Sequence, residues 1–463
     1  MLREGWGDWG GFGRQYGESV GERGDVRGTG RRHDREILRL AVPAFAALVA
    51  EPLFLLTDSA IIGHVGTGPL AALGVAGPAL ATIVNLCVFL AYGTTAAVAR
   101  QIGAGDMARA MRQGMDGLWL AALLGGVLAL AGWPLAPWIV DLLGASPNIA
   151  GMAVTYLRIS LLGVPGLLIV LAGTGVLRGM QDTLTPLVVS VGSFAANALL
   201  NIWFVVGLGW GVSGSAWGTV IAQTAGGVVY VIAVVRGARR HGAALSPDLA
   251  GLKAAGTSGF ALFVRTLSLR VVMVVATAIA ARVGDVEVAA QQLAFQIWTL
   301  LAFALDAIAI AGQAITGRSL GAGDVEGTRS ATRRMVIWGV GSGVVLGLLV
   351  VAARPHIPGI FTPDARVAHE LLAALWAVAL LQPIAGLVFV LDGVLIGAGD
   401  QRYLAWTGVV NTLTFLPAAW LVIVFDGGLI ALWAAIALWM LSRAVTLSLR
   451  ARGTSWLVTG VPA

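Results

Sequence analysis

Charge is scarce in this chain and cysteine is almost absent. Charged residues make up 12% of the 463 positions, while 57% are apolar and the mean hydropathy is +0.85. A soluble domain carries about 25% charged residues, so a globule folded in water is excluded and a multispanning membrane protein is left. The single cysteine, Cys87, rules out an intramolecular disulfide, and the five histidines show no metal-ligand spacing. Redox and metal chemistry therefore have no support. The loops are short and hold no paired His, Cys or acid motif, so a membrane-embedded transferase would lack its catalytic constellation. Residues 1–33, rich in Gly and Arg, contain no apolar run and match no secretory signal; they read as a disordered tail.

What the chain does have is a copy of itself. Gly103-Ala104-Gly105-Asp106 recurs 218 positions later as Gly321-Ala322-Gly323-Asp324, with Arg100 and Arg318 at one offset ahead. At the same spacing Val65-Gly66 meets Val283-Gly284, Pro165 meets Pro383, and Gly175-Val176-Leu177 with Gly179 meets Gly393-Val394-Leu395 with Gly397. A two-residue shift then sets Trp217 opposite Trp433. Internal repeats of this kind typify secondary transporters whose site lies between the repeats. The Gly-Ala-Gly-Asp segments could pass for phosphate cradles, but their recurrence after matching helices favours a topological turn.

Apolar stretches able to cross about 30 Å of hydrocarbon, each roughly 20 residues, centre near Val49, Thr82, Gly125, Leu167, Ala195, Ala225, Val272, Phe303, Gly343, Ile384, Phe415 and Leu438. The expected fold is thus an all-α integral membrane protein of twelve transmembrane helices in two pseudo-symmetric six-helix lobes: an N-lobe over 34–240, a cytoplasmic linker over 241–252 and a C-lobe over 253–463. Basic residues cluster on alternate loops: Arg31 to Arg39, then Arg100, Arg109 and Arg112, Arg236 to Lys253, Arg318 to Arg334, Arg402, and Arg443 to Arg452. Short basic loops stay inside, so both termini are expected in the cytoplasm and the chain in the plasma (inner) membrane. The net charge of +6 then follows from topology, not from nucleic acid.

A charge inside a span costs roughly 2.5 to 3.5 kcal/mol on insertion scales and marks an ion or substrate path by default. Glu51 and Asp58 stand two turns apart on one face of helix 1, with Pro52 between them to bend it. The first helix of the second half has Leu269 and Ala276 at those places and carries Arg265 and Arg270 instead. Asn197 and Asn201, and likewise Thr219 and Gln223, are one turn apart and present oxygens from helices 5 and 6. Asn85 and Tyr92 of helix 2 are further polar candidates for a substrate cavity. Each of these could also be structural, the neutral residues as interhelical glue worth about 0.6 kcal/mol each.

The segment from Pro52 through Asp58 to His64 resembles the opening signature of multidrug and toxic compound extrusion (MATE) transporters, in particular the DinF-type branch. Ala302-Phe303-Ala304-Leu305-Asp306, Leu391-Asp392-Gly393-Val394-Leu395-Ile396-Gly397-Ala398 and the basic-flanked Gly-Ala-Gly-Asp loops are similar too. The resemblance implies an exporter of organic cations or other amphipathic small molecules in exchange for protons, less favourably sodium. It makes Asp58 the central coupling residue, with Asn197 and Thr219 beside it. One turn after Asn197 the family often has aspartate; here Asn201 stands there, so Asp58 carries the charge alone or shares it with Glu51. Asp306 and Asp392 are candidates for a C-lobe cation site, or for buried ion pairs with Arg265 or Arg270. No cofactor and no metal is expected, and the expected state is a monomer in the lipid bilayer. A flippase for a lipid-linked saccharide is the alternative within the wider superfamily; its cavity would need basic residues, for which Arg265 and Arg270 are the candidates.

Overall fold

A computed structural model describes the backbone of residues 26–460 and the side chains of 33–460 apart from 51 and 54–56. The tail over residues 1–25 and the side chain of Glu51 lie outside the described residues. Fifteen α-helices follow in order among them. These are α1 (Val26–Gly63), α2 (Thr67–Leu86), α3 (Phe89–Gly103), α4 (Met107–Leu142), α5 (Pro147–Leu161), α6 (Val164–Gly179), α7 (Leu184–Asn201), α8 (Gly211–Arg240), α9 (Leu249–Val283), α10 (Asp285–Gly321), α11 (Val325–Ala353), the one-turn α12 (Ile357–Phe361), α13 (Ala365–Gly397), α14 (Gln401–Val424) and α15 (Gly428–Arg452). A π-helical turn, Ile202–Gly207, extends α7.

Ten of the spans are long and apolar enough to cross a bilayer, counting α2 and α3 as one, and α5 with α6 forms a further span bent by 47°. The 38-residue α1, in repeat register with α9, completes two lobes of six. It begins at Val26, inside the tail as read from the sequence, and α9 begins at Leu249, inside the expected linker. The bend between α5 and α6 falls at Gly163, ahead of Pro165. The matching Pro383 sits in an unbroken α13, where Leu381 replaces the glycine. Pro165 alone does not break the span. Gly163 does so jointly with it, because its bare Cα lets the break press within 3.2 Å of the Val220 backbone where a Cβ would sit.

Duplicated sequence produces duplicated packing. A Cβ on Gly125 would come 2.5 Å from Pro165 Cα, and one on Gly343 would come 2.8 Å from Pro383 Cα. Gly175 is pressed on the Ala91 carbonyl and Gly393 on that of Ala309, again one repeat apart. The Gly-Ala-Gly-Asp segments are turns. Gly105 and Gly323 adopt φ of 79° and 77°, and Asp106 and Asp324 cap the next helix by accepting from the amides of Arg109 and Gly327 at 2.8 and 2.7 Å.

The lobes meet at the end that carries these turns, and the contact is itself two-fold. Gly103 lies against the Arg318 carbonyl and Gly321 against that of Arg100, with no room for a Cβ at either. Buried Arg100 donates to the carbonyls of Ala398 and Val458 at 2.9 and 2.7 Å and of Gly460 at 3.1 Å, tying the C-terminal segment to the N-lobe. Helix α1 straddles both lobes. Its N-terminal half, through Ile37, Leu40, Ala41 and Ala44, belongs to the C-lobe core, while Ile62 belongs to the N-lobe core. Asp34 pairs with Arg334 and accepts from Trp338 Nε1 at 2.7 Å, and Glu36 pairs with Arg318. Arg318 also donates to Gln181, which holds φ of 61° where its repeat mate is Gly399 at 75°. A non-glycine in that region costs roughly 1 kcal/mol or more, and here the strained residue supplies an interlobe contact.

Candidate functional site

Asp58 lies in the C-terminal half of α1 and is 4% exposed. Its Oδ1 accepts from Asn201 Nδ2 at 2.6 Å and from Ser215 Oγ at 2.8 Å. Asn201 Nδ2 also donates to Asn197 Oδ1 at 2.9 Å, and Asn197 Nδ2 donates to Thr219 Oγ1 at 3.0 Å. The chain of bonds exists because each contributing helix repeats a polar residue after four positions: 197 and 201 on α7, 215 and 219 on α8. Gly218 makes room for it, since a Cβ there would collide with Asn201 Oδ1. The π-helical turn follows Asn201 immediately, a widening that recurs at functional sites. Tyr156 and Ser160 of α5 stand beside the carboxylate and Ser215.

No cation pairs with Asp58 among the described residues, so burial of its charge is offset only by dipoles. Charge-assisted hydrogen bonds contribute about 1.5–3 kcal/mol each. Both donors fall on Oδ1, while Oδ2 makes no hydrogen bond among the described residues, and Asn201 Oδ1 is buried without a partner. One oxygen is thus held and the other is open to a proton or an ion. Ser215 escaped the sequence reading, although its place one turn before Thr219 was a usable signal.

The other candidates lie apart. Gln223 faces the α5–α6 break, where a Cβ on Gly163 would come 2.7 Å from its Oε1. Asn85 donates to its own helix at the Ala81 carbonyl, 2.8 Å away. Tyr92 points to a second group of charges centred on Asp392.

Asp392 is 6% exposed and accepts from Arg265 Nη2 at 2.6 Å; Arg443 donates to the same oxygen. Arg443 stacks on Trp439, 5.0 Å from the ring centre. The sequence reading put Arg443 in the basic run that closes the chain, but α15 continues to Arg452 and buries it. Only Arg450 and Arg452 occupy the last turn. Arg270 takes no part: it is exposed and makes no ion pair with Asp306 or Asp392. Asp306 likewise forms no ion pair with Arg265 or Arg270; the charges acting on it are those of Arg178, Arg265 and Asp392. Arg178 was missed from the sequence, although its repeat mate Ile396 marks it as a charge that breaks the symmetry. A cavity of about 10 Å³, the room of one water, lies among Arg265, Asp392, Asn411 and Arg443.

The MatE family model matches residues 43–203 and again 261–421, more than half of the chain and once per lobe. Protein DETOXIFICATION 44 (chloroplastic) of Arabidopsis thaliana is 30% identical over 434 residues, 89% of this chain and 80% of that protein. The DNA damage-inducible protein F of Escherichia coli is 29% identical over 441 residues, covering 90% and 91%. Among solved structures, an outward-facing multidrug resistance MATE transporter superposes with a TM-score of 0.81 at 22% identity, covering 93% of this chain and 96% of that one. A MOP superfamily transporter from Pyrococcus furiosus, described as having a binding pocket of reverse polarity, gives 0.82 at 22% identity and coverages of 91% and 95%. The duplicated match, the length of the identity and the twelve-span two-lobe architecture agree: this chain belongs to the MATE family of membrane transporters.

Proposed function

We propose that the protein exports amphipathic organic compounds in exchange for protons, with Asp58 as the coupling group. The observation that carries this reading is a carboxylate buried in the first span with one oxygen fixed by Asn201 and Ser215 and the other unoccupied. The arginine-rich turns stand at the end where the lobes are closed. If that end is cytoplasmic, as its short basic loops imply, the arrangement is outward-facing, as in the transporter matched above.

A proton arriving at Oδ2 from outside removes the charge and gives Asp58 a donor, and Asn201 Oδ1 is an acceptor in need of one. The carboxyl then repacks against α7 and α8. Because α1 is anchored in the C-lobe at Asp34 and Glu36 and runs unbroken through Pro52 to Asp58, a change at Asp58 reaches the interlobe seal through one helix. Release of the Arg318 and Arg334 pairs opens the inner end, where the proton leaves and cargo enters. Each elementary charge carried inward gains about 2.3 kcal/mol per 100 mV of membrane potential. No covalent step is required, and all the work is done by competition between conformations.

Sodium is the second reading, favoured by the unpartnered Asn201 Oδ1 beside Asp58, two hard oxygen donors for a hard cation. A sodium site on Asp392 has less to support it, since two guanidinium groups already neutralise that carboxylate. Reconstituted vesicles with ethidium and other amphipathic fluorophores, under an imposed pH gradient and then a sodium gradient, separate the two. Uptake driven by pH alone, and lost in Asp58→Asn, is expected. Uptake indifferent to both gradients overturns the exchanger.

A further inference from the structure

Arg178 and Asp306 are ionisable groups inside the bundle that make no hydrogen bond and no ion pair among the described residues, and the coupling scheme does not use them. They face each other from opposite lobes. Gly175 and Gly179 pack α6 on Ala91 and Thr95 of α3, which sets Arg178 beside Tyr92. Gly93 in turn touches Leu262, one turn before Arg265 on α9, and Phe89 and Tyr92 pack on the C-lobe core. Helices α3 and α6 of one lobe and α9 and α10 of the other therefore converge on one spot, where Tyr92, Arg178, Arg265 and Asp306 are each largely but not wholly buried. Tyr92 and Asp306 precede the sealing glycines 103 and 321 by 11 and 15 residues, about 16 and 22 Å along their helices. The cluster thus lies at the seam between the lobes, that far from the seal, and forms the floor of the seam.

Its charges do not balance. Arg178, Arg265 and Arg443 are positive and Asp306 and Asp392 negative, three against two, and Asp392 is already shared by Arg265 and Arg443. An uncompensated guanidinium inside a bilayer is costly, and Asp306 is not within bonding distance to neutralise Arg178. The group that would balance the floor is a single anion, with the planar donor face of Arg178 to receive it and the Tyr92 hydroxyl beside it.

We propose that this floor binds the anionic group of the cargo, a carboxylate or sulfonate on an amphipathic body, between Arg178 of the N-lobe and Tyr92, with Asp306 rejecting a second negative charge. This rests on the transporter reading and sets the cargo's charge opposite to the cationic class expected from the sequence.

The test is equilibrium binding to the full chain in nanodiscs of zwitterionic lipid, with three probes of one shape: naphthalene-2-sulfonate, naphthalene-2-sulfonamide and trimethyl(2-naphthyl)ammonium. The sulfonate is expected to bind at least tenfold tighter than the other two. Arg178→Gln should erase that preference, Arg178→Lys should restore part of it, and Asp306→Asn should leave or strengthen sulfonate binding. Asp58→Asn, which ends pH-driven transport, should still bind the sulfonate; this keeps failure of coupling distinct from failure of the floor site. Equal binding of the three probes, or an Arg178→Gln protein that folds by size exclusion and keeps the preference, overturns the proposal. Displacement of the sulfonate by anionic lipid added to the nanodisc overturns it too, by assigning the site to a lipid headgroup.

Discussion

The two lobes share their packing and not their polar chemistry. Three close glycine contacts in one have their mates in the other: Gly125 with Gly343, Gly175 with Gly393, Gly103 with Gly321. The charges of the two buried sites have none. Asp58 faces Ala276 across the repeat, Asp392 faces Thr174, and Arg178 faces Ile396. In the N-lobe one acid sits among neutral donors, where adding or removing a proton changes the net charge of the pocket. In the C-lobe an acid sits between two guanidinium groups, where ionisation is locked in place. Backbone approach conserves the scaffold, and side-chain charge divides the labour.

The largest expected effect is at the acid that has no cation. Asp58→Asn keeps shape and loses the titratable group, so transport driven by a pH gradient in vesicles should fall to background while yield and gel-filtration profile stay unchanged. Ala276→Asp in that background, which moves the acid to the repeat-equivalent place, should not restore transport, because nothing there matches Asn201 and Ser215. Restoration would mean that the lobes are interchangeable, against the contrast drawn here.

Next comes the acid that is clamped. Asp392→Asn leaves Arg265 and Arg443 buried side by side without a counter-charge, and breaking a buried pair from one side costs about 3–5 kcal/mol. A marked loss of thermal stability in detergent is expected. The double change Asp392→Leu with Arg443→Met should be less damaging than Asp392→Asn alone, which a double-mutant cycle would record. If Asp392→Asn instead removed coupling and spared stability, both lobes would hold titrating sites.

The seal is the place where the lobes should behave alike. Gly103→Ala and Gly321→Ala each drive a Cβ into the partner's backbone carbonyl, an overpacking worth about 1–3 kcal/mol. Both should shift the population toward opening at that end, read as faster maleimide labelling of a cysteine placed at Ala99 in a Cys87→Ser background. Equal shifts are expected because the contact is reciprocal, and a response from one glycine only would break the two-fold description.

Much of this arrangement was legible in the sequence, for a physical reason. Span centres and the duplication depend on hydropathy and glycine spacing, which a bilayer and close helix crossings impose directly. The pairs Asn197 with Asn201 and Thr219 with Gln223 were readable because polar residues four apart on an apolar helix share a face, whereas their grouping with Asp58 came from the resemblance to the MATE family. The bend at Gly163 was not readable from Pro165, since the matching proline leaves α13 unbroken. Arg443 and Arg178 were hidden because a charge near the end of a span looks like a loop anchor until the length of the helix is known. Ser215 was hidden because a serine in a glycine-rich stretch costs little to bury, and its only signal was its place one turn before Thr219.

The smallest effect expected is at the far end of the N-lobe chain of hydrogen bonds. Thr219→Val removes one neutral acceptor, and Asn197 Nδ2 then loses the partner it now has at 3.0 Å. A neutral hydrogen bond is worth about 0.5–1.5 kcal/mol net, so stability should drop by about 1 kcal/mol. Asn197 also receives Asn201, and Asn201 holds Asp58, so the same change loosens the carboxylate at two removes. Pairing Thr219→Val with Ser215→Ala separates the routes. If the chain acts as a unit, the two together should slow pH-driven uptake more than the product of their separate effects, since Asp58 would then lose its direct donor and the support of its remaining one. Strictly multiplicative effects would mean that Asn201 is held by packing against the π-helical turn, and that the chain of amides only fills space.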